Sequence, residues 1–122
     1  MTSATRIRTT LEDRIAEKSS PPIRLTFVDD AGVAVQPDAA TLTLHLLNGT
    51  VINTRAAVDL LPSTTAGVCK FVTVPADFAI QGTAVTEVHI ALIEWTWTDD
   101  DGDTRYDKHE IVHTVENLVA VA

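Results

Sequence analysis

The chain is short of cysteine, of aromatic side chains and of positive charge. Its 122 residues include one cysteine, one tyrosine, two tryptophans and three phenylalanines. A lone Cys69 excludes an intrachain disulfide framework and a zinc site built from cysteines. No run of about 18 apolar residues occurs, and the N-terminal stretch lacks the apolar core of a secretory signal. The sequence therefore predicts neither a membrane-spanning helix nor export through an N-terminal leader. Nine Lys and Arg residues face 17 Asp and Glu, for a formal net charge of −8. An acidic balance of this size repels a phosphate backbone, so nucleic acid is not an expected partner. Neither a glycine-rich phosphate loop nor a nucleophile elbow is present, and no cofactor is expected.

What the chain does have is β-branched residues. Thr, Val and Ile supply 40 of the 122 positions, and their stiff χ1 torsions favour pleated strands over helix. The length is that of one compact domain able to bury a core without covalent staples. The expected class is therefore all-β, and only the N-terminus reads otherwise.

Residues 1–22 form a separate arm in this reading. Ile7, Leu11 and Ile15 recur every four residues, Thr9 and Glu12 have the spacing of a capping box, and Ser19-Ser20-Pro21-Pro22 ends the pattern. These features predict a short amphipathic helix over 9–18 followed by a stiff link. Because an isolated helix of this length is marginal in water, the arm needs something to pack on, either its own domain or a neighbour. Up to Arg24 the arm carries five basic and three acidic residues, so a basic arm adjoins an acidic body.

The remaining domain, 23–122, reads as about seven short strands punctuated by turns, the pattern of an antiparallel β-sandwich of immunoglobulin-like kind. Ile23 to Val28 leads to Asp29-Asp30-Ala31-Gly32. Leu42, Leu44 and Leu46 alternate with Thr41, Thr43 and His45, and Asn48-Gly49 follows as a type I′ hairpin signal. Pro75-Ala76-Asp77-Phe78 reads as one helical turn with Phe78 plugging the core. In Val85 to Thr98 the apolar positions are first Val88, Ile90 and Leu92, then Ile93, Trp95 and Trp97. A strand shows alternate residues to opposite faces. Either a β-bulge switches the buried face near Leu92, or both faces are covered, the second by another subunit.

Two motifs invite chemistry. Asp99, Asp101 and Asp103 have the 1-3-5 spacing of a calcium loop, but Gly102 stands where that loop does not want it, and Asp-Gly is a common hairpin tip. His109-Glu110-Ile111-Val112-His113 matches the H-E-x-x-H pattern of zinc hydrolases. That chemistry needs a helix, which sets both histidines on one side to share a metal. In the strand predicted here they stand ~13 Å apart. His45 and His89 read as strand-face histidines.

The runs Ile23-Arg24-Leu25-Thr26-Phe27-Val28-Asp29-Asp30-Ala31-Gly32, Asn48-Gly49-Thr50-Val51-Ile52-Asn53-Thr54-Arg55 and Glu94-Trp95-Thr96-Trp97 before an Asp-Gly turn resemble small immunoglobulin-like structural proteins of tailed bacteriophages. The likeness extends over about 22–118 and rests on turn-and-strand signatures. It implies a non-enzymatic virion component, assembled in the host cytoplasm and repeated on the head, neck or tail, whose partners are other virion proteins and copies of itself. The candidate contact residues are Ile7, Leu11 and Ile15 of the arm, Trp95 and Trp97, and Leu118, Val119 and Val121 of the apolar tail. A homo-oligomer, trimer or ring, is expected, with no metal and no membrane. The competing reading is a carbohydrate or host-surface binding module, which requires an exposed Trp97; the zinc hydrolase stands third.

Overall fold

The computed structural model describes residues 4–9 and 11–117. The chain is all-β, with nine strands among those residues: β1 (Arg6–Thr9), β2 (Arg14–Ala16), β3 (Ile23–Val28), β4 (Ala39–Leu46), β5 (Val58–Asp59), β6 (Thr64–Thr65), β7 (Val68–Phe71), β8 (Thr86–Thr98) and β9 (Thr104–Glu116). They form a four-stranded sheet of order β1-β3-β7-β6 and a five-stranded sheet of order β2-β9-β8-β4-β5. All neighbours are antiparallel except β2, which runs parallel to β9. No helix among the described residues is long and apolar enough to cross a membrane.

Alternation decides which face of each strand is buried. Ile23, Leu25 and Phe27 of β3, with Cys69 and Phe71 of β7, face Leu42 and Leu44 of β4 and Ala91, Ile93 and Trp95 of β8 in a single core. Phe27 and Trp95 meet edge to face across the two sheets, ring centroids 5.7 Å apart. Pro75–Phe78 is one 3-10 turn, and Phe78 is fully buried beneath it, as expected.

The expected helix over 9–18 does not form. A spacing of four is a multiple of the strand period as well as near the helical one, so Ile7, Leu11 and Ile15 also share one face of extended chain. The segment is too short to hold a helix alone, and the strand edges give its backbone better partners. β1 pairs with β3, and β2 pairs with β9. The Thr9 hydroxyl accepts the Leu11 N–H rather than capping a helix. Upstream of β1, Ala4 is fully buried, and its carbonyl accepts the Trp95 indole N–H at 2.6 Å.

The turn chemistry repeats. In Asp29–Val33, Leu46–Thr50 and Asp99–Asp103 the first residue's carbonyl accepts the N–H of a glycine three residues on, and its N–H donates to the residue after that glycine. Gly32, Gly49 and Gly102 all have φ between 81° and 90°. The Asn48-Gly49 hairpin is therefore three residues long, with only the glycine left-handed, in place of the expected two-residue type I′ turn. Asp29 and Asp99 each fix their turn the same way, one carboxylate oxygen accepting two backbone N–H groups.

Nor is there a bulge in β8. Its register with β9 is unbroken from Thr86↔Glu116 to Thr98↔Thr104, so His89, Ala91, Ile93 and Trp95 all face the core. Val88, Ile90 and Leu92 face outward.

Two outcomes follow from this architecture. A chain beginning at Ile23 loses two strands and the partner of Trp95, and is expected to show no cooperative melt by circular dichroism; a cooperative melt would make the arm dispensable. Gly67 has φ 83°, and a Cβ there would lie 2.7 Å from the Val35 backbone, whereas one on Gly102 meets nothing. Gly102→Ala should cost ~1–2 kcal/mol of stability from the left-handed backbone alone, and Gly67→Ala clearly more in the same urea titration.

Candidate functional site

Three groups of polar residues stand out, and the strands position each of them. The first surrounds Asp77, which the Pro75–Phe78 turn carries into the protein until it is 1% exposed. Arg55 donates to both carboxylate oxygens, at 2.8 and 3.2 Å, Asn53 Nδ2 donates at 2.8 Å and the Val74 N–H at 2.8 Å. Burial pushes this carboxyl up, but the donors from Arg55, Asn53 and Val74 outweigh it and hold it below the usual carboxylate range. The Arg55 guanidinium also lies over the Phe71 ring, 5.1 Å from its centroid. Every acceptor of the carboxylate is engaged, so this group is a structural lock between the 53–55 segment and the turn after β7.

The second group is His89 and His113, which stand directly opposite each other on β8 and β9. Both are almost fully buried, with ring centroids 5.9 Å apart, and His113 lies edge to face against Phe78. His89 Nε2 is 2.6 Å from Glu87, whose carboxylate also accepts the N–H groups of Gln81 and Gly82. His113 Nδ1 is 3.2 Å from the Ile111 carbonyl. His89 Nδ1 and His113 Nε2 have no partner. Desolvation, aided by the neighbouring His89, lowers the His113 pKa to about 4. Glu87, His89 and His113 do not bring three ligand atoms within 4.8 Å of one another, so the group does not form a three-ligand metal cluster.

The third group is the β8–β9 tip. Asp99, Asp101 and Asp103 do bring ligand atoms within 4.8 Å. Asp99 is nevertheless committed. One oxygen accepts the Asp101 and Asp103 N–H groups and the other accepts Arg105 Nε at 2.8 Å, and these donors lower its pKa. The arrangement is that of a turn held by its own aspartate, as at Asp29.

The His-Glu-x-x-His motif lies wholly on β9. His109 is exposed and His113 buried, while Glu110 points to the opposite face. The histidines therefore occupy different environments on a strand, and the motif does not assemble a shared ligand set.

The candidate contact residues are scattered. Ile15 and Trp95 are buried in the chain's own core; Ile7, Leu11 and Trp97 are half-buried and pack against it. Trp97 thus presents only part of its ring to solvent. Leu118, Val119 and Val121 lie outside the described residues. The large exposed apolar side chains include Tyr106 and Val112 on β9 and Leu47 and Val51 at the β4 turn. Sequence reasoning missed the two buried polar groups. The histidine pair had a signal: counting back from the 99–103 tip in strict register brings His89 opposite His113. Arg55 and Asp77 had none, because loop geometry joins them. No protein-family model matches the chain, and no curated protein or solved structure matches it either.

The two groups predict different acid sensitivities. His113 refuses a proton that the unfolded chain accepts, so between an ordinary imidazole pKa of about 6.5 and its own of about 4 stability rises with pH. Urea titrations should show up to about 3 kcal/mol lost from pH 7 to pH 4, with a flatter acid limb in His113→Leu. Asp77 has a depressed pKa, so its contribution is lost only on further acidification, through and below the usual carboxylate range. Asp77→Asn leaves Arg55 without its counter-charge and should cost about 2–3 kcal/mol at neutral pH, at the low end for a buried pair because Arg55 is partly solvated.

Proposed function

We propose that the protein is a non-enzymatic structural subunit of immunoglobulin-like topology, which assembles as a repeated component of a tailed-bacteriophage particle, on its head, neck or tail. Its partners in this reading are other virion proteins and further copies of itself. The strand order supports the fold assignment. β1-β3-β7-β6 corresponds to the A-B-E-D sheet of such domains and β9-β8-β4-β5 to G-F-C-C′. The residue resemblance to phage structural proteins supports the particle.

The observation that carries assembly is the outer face of the five-stranded sheet. Val88, Ile90 and Leu92 of β8 line it, with Val112 opposite Ile90 on one side and His45 opposite Ile90 on the other. Ile90 is 7% exposed and Val112 53%. Val88 and Leu92 are half-buried, and Val112 is the exposed member of the strip. An apolar stripe at the centre of a face otherwise bearing threonines and charges fits a protein contact better than open water. Ile15 and Trp95 are used inside the protomer, so the contact passes to this face rather than to the arm.

Light scattering of the full chain should give a discrete oligomer. Leu92→Lys, which alters the outer face and not the core, should shift it to a smaller species with unchanged circular dichroism. A chain that is monomeric at every concentration would overturn the reading.

A further inference from the structure

β9 is an edge strand over most of its length. β2 covers only Thr114 to Glu116, where Asp13 accepts the Thr114 N–H. Backbone groups alternate along a strand, so the N–H and C=O of Tyr106, Lys108, Glu110 and Val112 point out of the same edge. No strand pairs with them among the described residues. This segment is also exposed on both faces from Thr104 to Glu110, so a neighbour can approach without uncovering core.

We propose that this edge is the contact with a second copy of the chain: two β9 strands pair antiparallel about a two-fold axis at His109, joining two five-stranded sheets into one. The proposal rests on the assembly reading above and adds to its outer face a second contact, the sheet edge, with a copy of the chain as the partner. A two-fold axis normal to the sheet keeps both outer faces on one side, and residues equidistant from His109 then oppose each other. Lys108 faces Glu110 of the other copy, twice by symmetry, and Tyr106 faces Val112, also twice; each chain leaves the ladder at Arg105, because β2 already pairs with Thr114. Tyr106 and Val112 are 79% and 53% exposed in the single chain, and this register gives each an apolar mate. The four outward-pointing residues are the ones that then exchange N–H···O=C bonds, while His109 meets His109 as the non-hydrogen-bonded pair at the axis. Neighbouring registers fail. An axis at Asp107, Lys108 or Glu110 sets that charge against its own copy. The Lys108 N–H, held in the single chain by Asp107 Oδ1 at 2.8 Å, exchanges that bond for one across the axis. An axis at Tyr106 opposes no like charges but shortens the ladder to Thr104–Lys108 and leaves Val112 without a mate, so charge order and ladder length together favour the axis at His109.

A disulfide tests the register directly. In a non-hydrogen-bonded pair the Cα atoms lie about 4.5 Å apart, within disulfide reach. His109→Cys in the full chain should form a covalent dimer on mild oxidation. Tyr106→Cys should not, since its own copy stands ~20 Å away; the buried Cys69 is common to both. Lys108→Glu should weaken association about tenfold or more, and Lys108→Glu combined with Glu110→Lys should restore it. An oligomer that persists without the His109→Cys cross-link or the charge-swap rescue overturns this edge while leaving assembly intact. A monomeric wild-type chain overturns both.

Discussion

The fold depends on one crossing of the chain. Two sheets that face each other across an apolar core have nothing to stop them sliding or opening at their edges, and many domains of this shape fasten them with a disulfide. A single buried cysteine cannot. Here the N-terminal segment does the fastening: β1 adds to one sheet, β2 adds to the other, and the chain between them spans the gap. The Trp95 indole, buried from the five-stranded sheet, donates to the carbonyl of Ala4 just ahead of β1. A buried indole N–H without a partner would be costly, so the largest side chain in the core is satisfied only when the N-terminus is in place. The Arg14 and Glu116 ion pair adds to β2 at the far edge, but it is solvent-exposed and secondary.

Polar locks then fix what the sheets leave loose. The turn at Pro75–Phe78 inserts Phe78 into the core and Asp77 beside it, and a carboxylate at that depth is tolerable only with its full set of donors. Arg55, Asn53 and Val74 provide them, which anchors the long excursion between β4 and β5 to the loop between β7 and β8. At the neighbouring end, Glu17 accepts the Ile80 N–H and the Lys18 N–H donates to Phe78, so the same turn is tied to the segment just after β2. The histidine pair breaks this pattern of satisfaction. Two imidazoles share a buried site and each retains an unpartnered nitrogen, and burial holds the pKa of His113 down at about 4.

Much of this was legible in the residues, and the reasons differ from element to element. Turns were readable because glycine with positive φ is a local requirement: Gly32, Gly49 and Gly102 mark three hairpins of one design. Only the turn length at Asn48-Gly49 was misjudged, since Asn-Gly satisfies more than one turn type. Phe78 was readable as a plug because one helical turn after Pro75 leaves its large side chain a single direction to point. The N-terminal helix was misread for a reason the sequence itself contains. Ile7, Leu11 and Ile15 fit both periods, and the choice between them lay with sheet edges formed by residues far along the chain. The two apolar sets of β8 left a bulge and two covered faces both open; the strand runs straight, so Ile93, Trp95 and Trp97 lie on the core side and Val88, Ile90 and Leu92 on the outside of the sheet. Asp77 and Arg55 were invisible because nothing local pairs them.

The outer face and the free edge of β9 belong to one physical problem. Beside the buried Ile93 and Trp95 of β8, the outer strand β9 is exposed on both faces from Thr104 to Glu110, so residues there gain nothing from core burial and must be soluble as they stand. Arg105, Asp107, Lys108, His109 and Glu110 meet that need on both faces. An edge made wholly of one sign would repel its own copy, and an edge made of apolar residues would accept any strand. Alternating signs flanked by Tyr106 and Val112 do neither. They leave the backbone groups open and restrict which strand can use them, so the sequence that keeps a single chain in solution also limits what it can join.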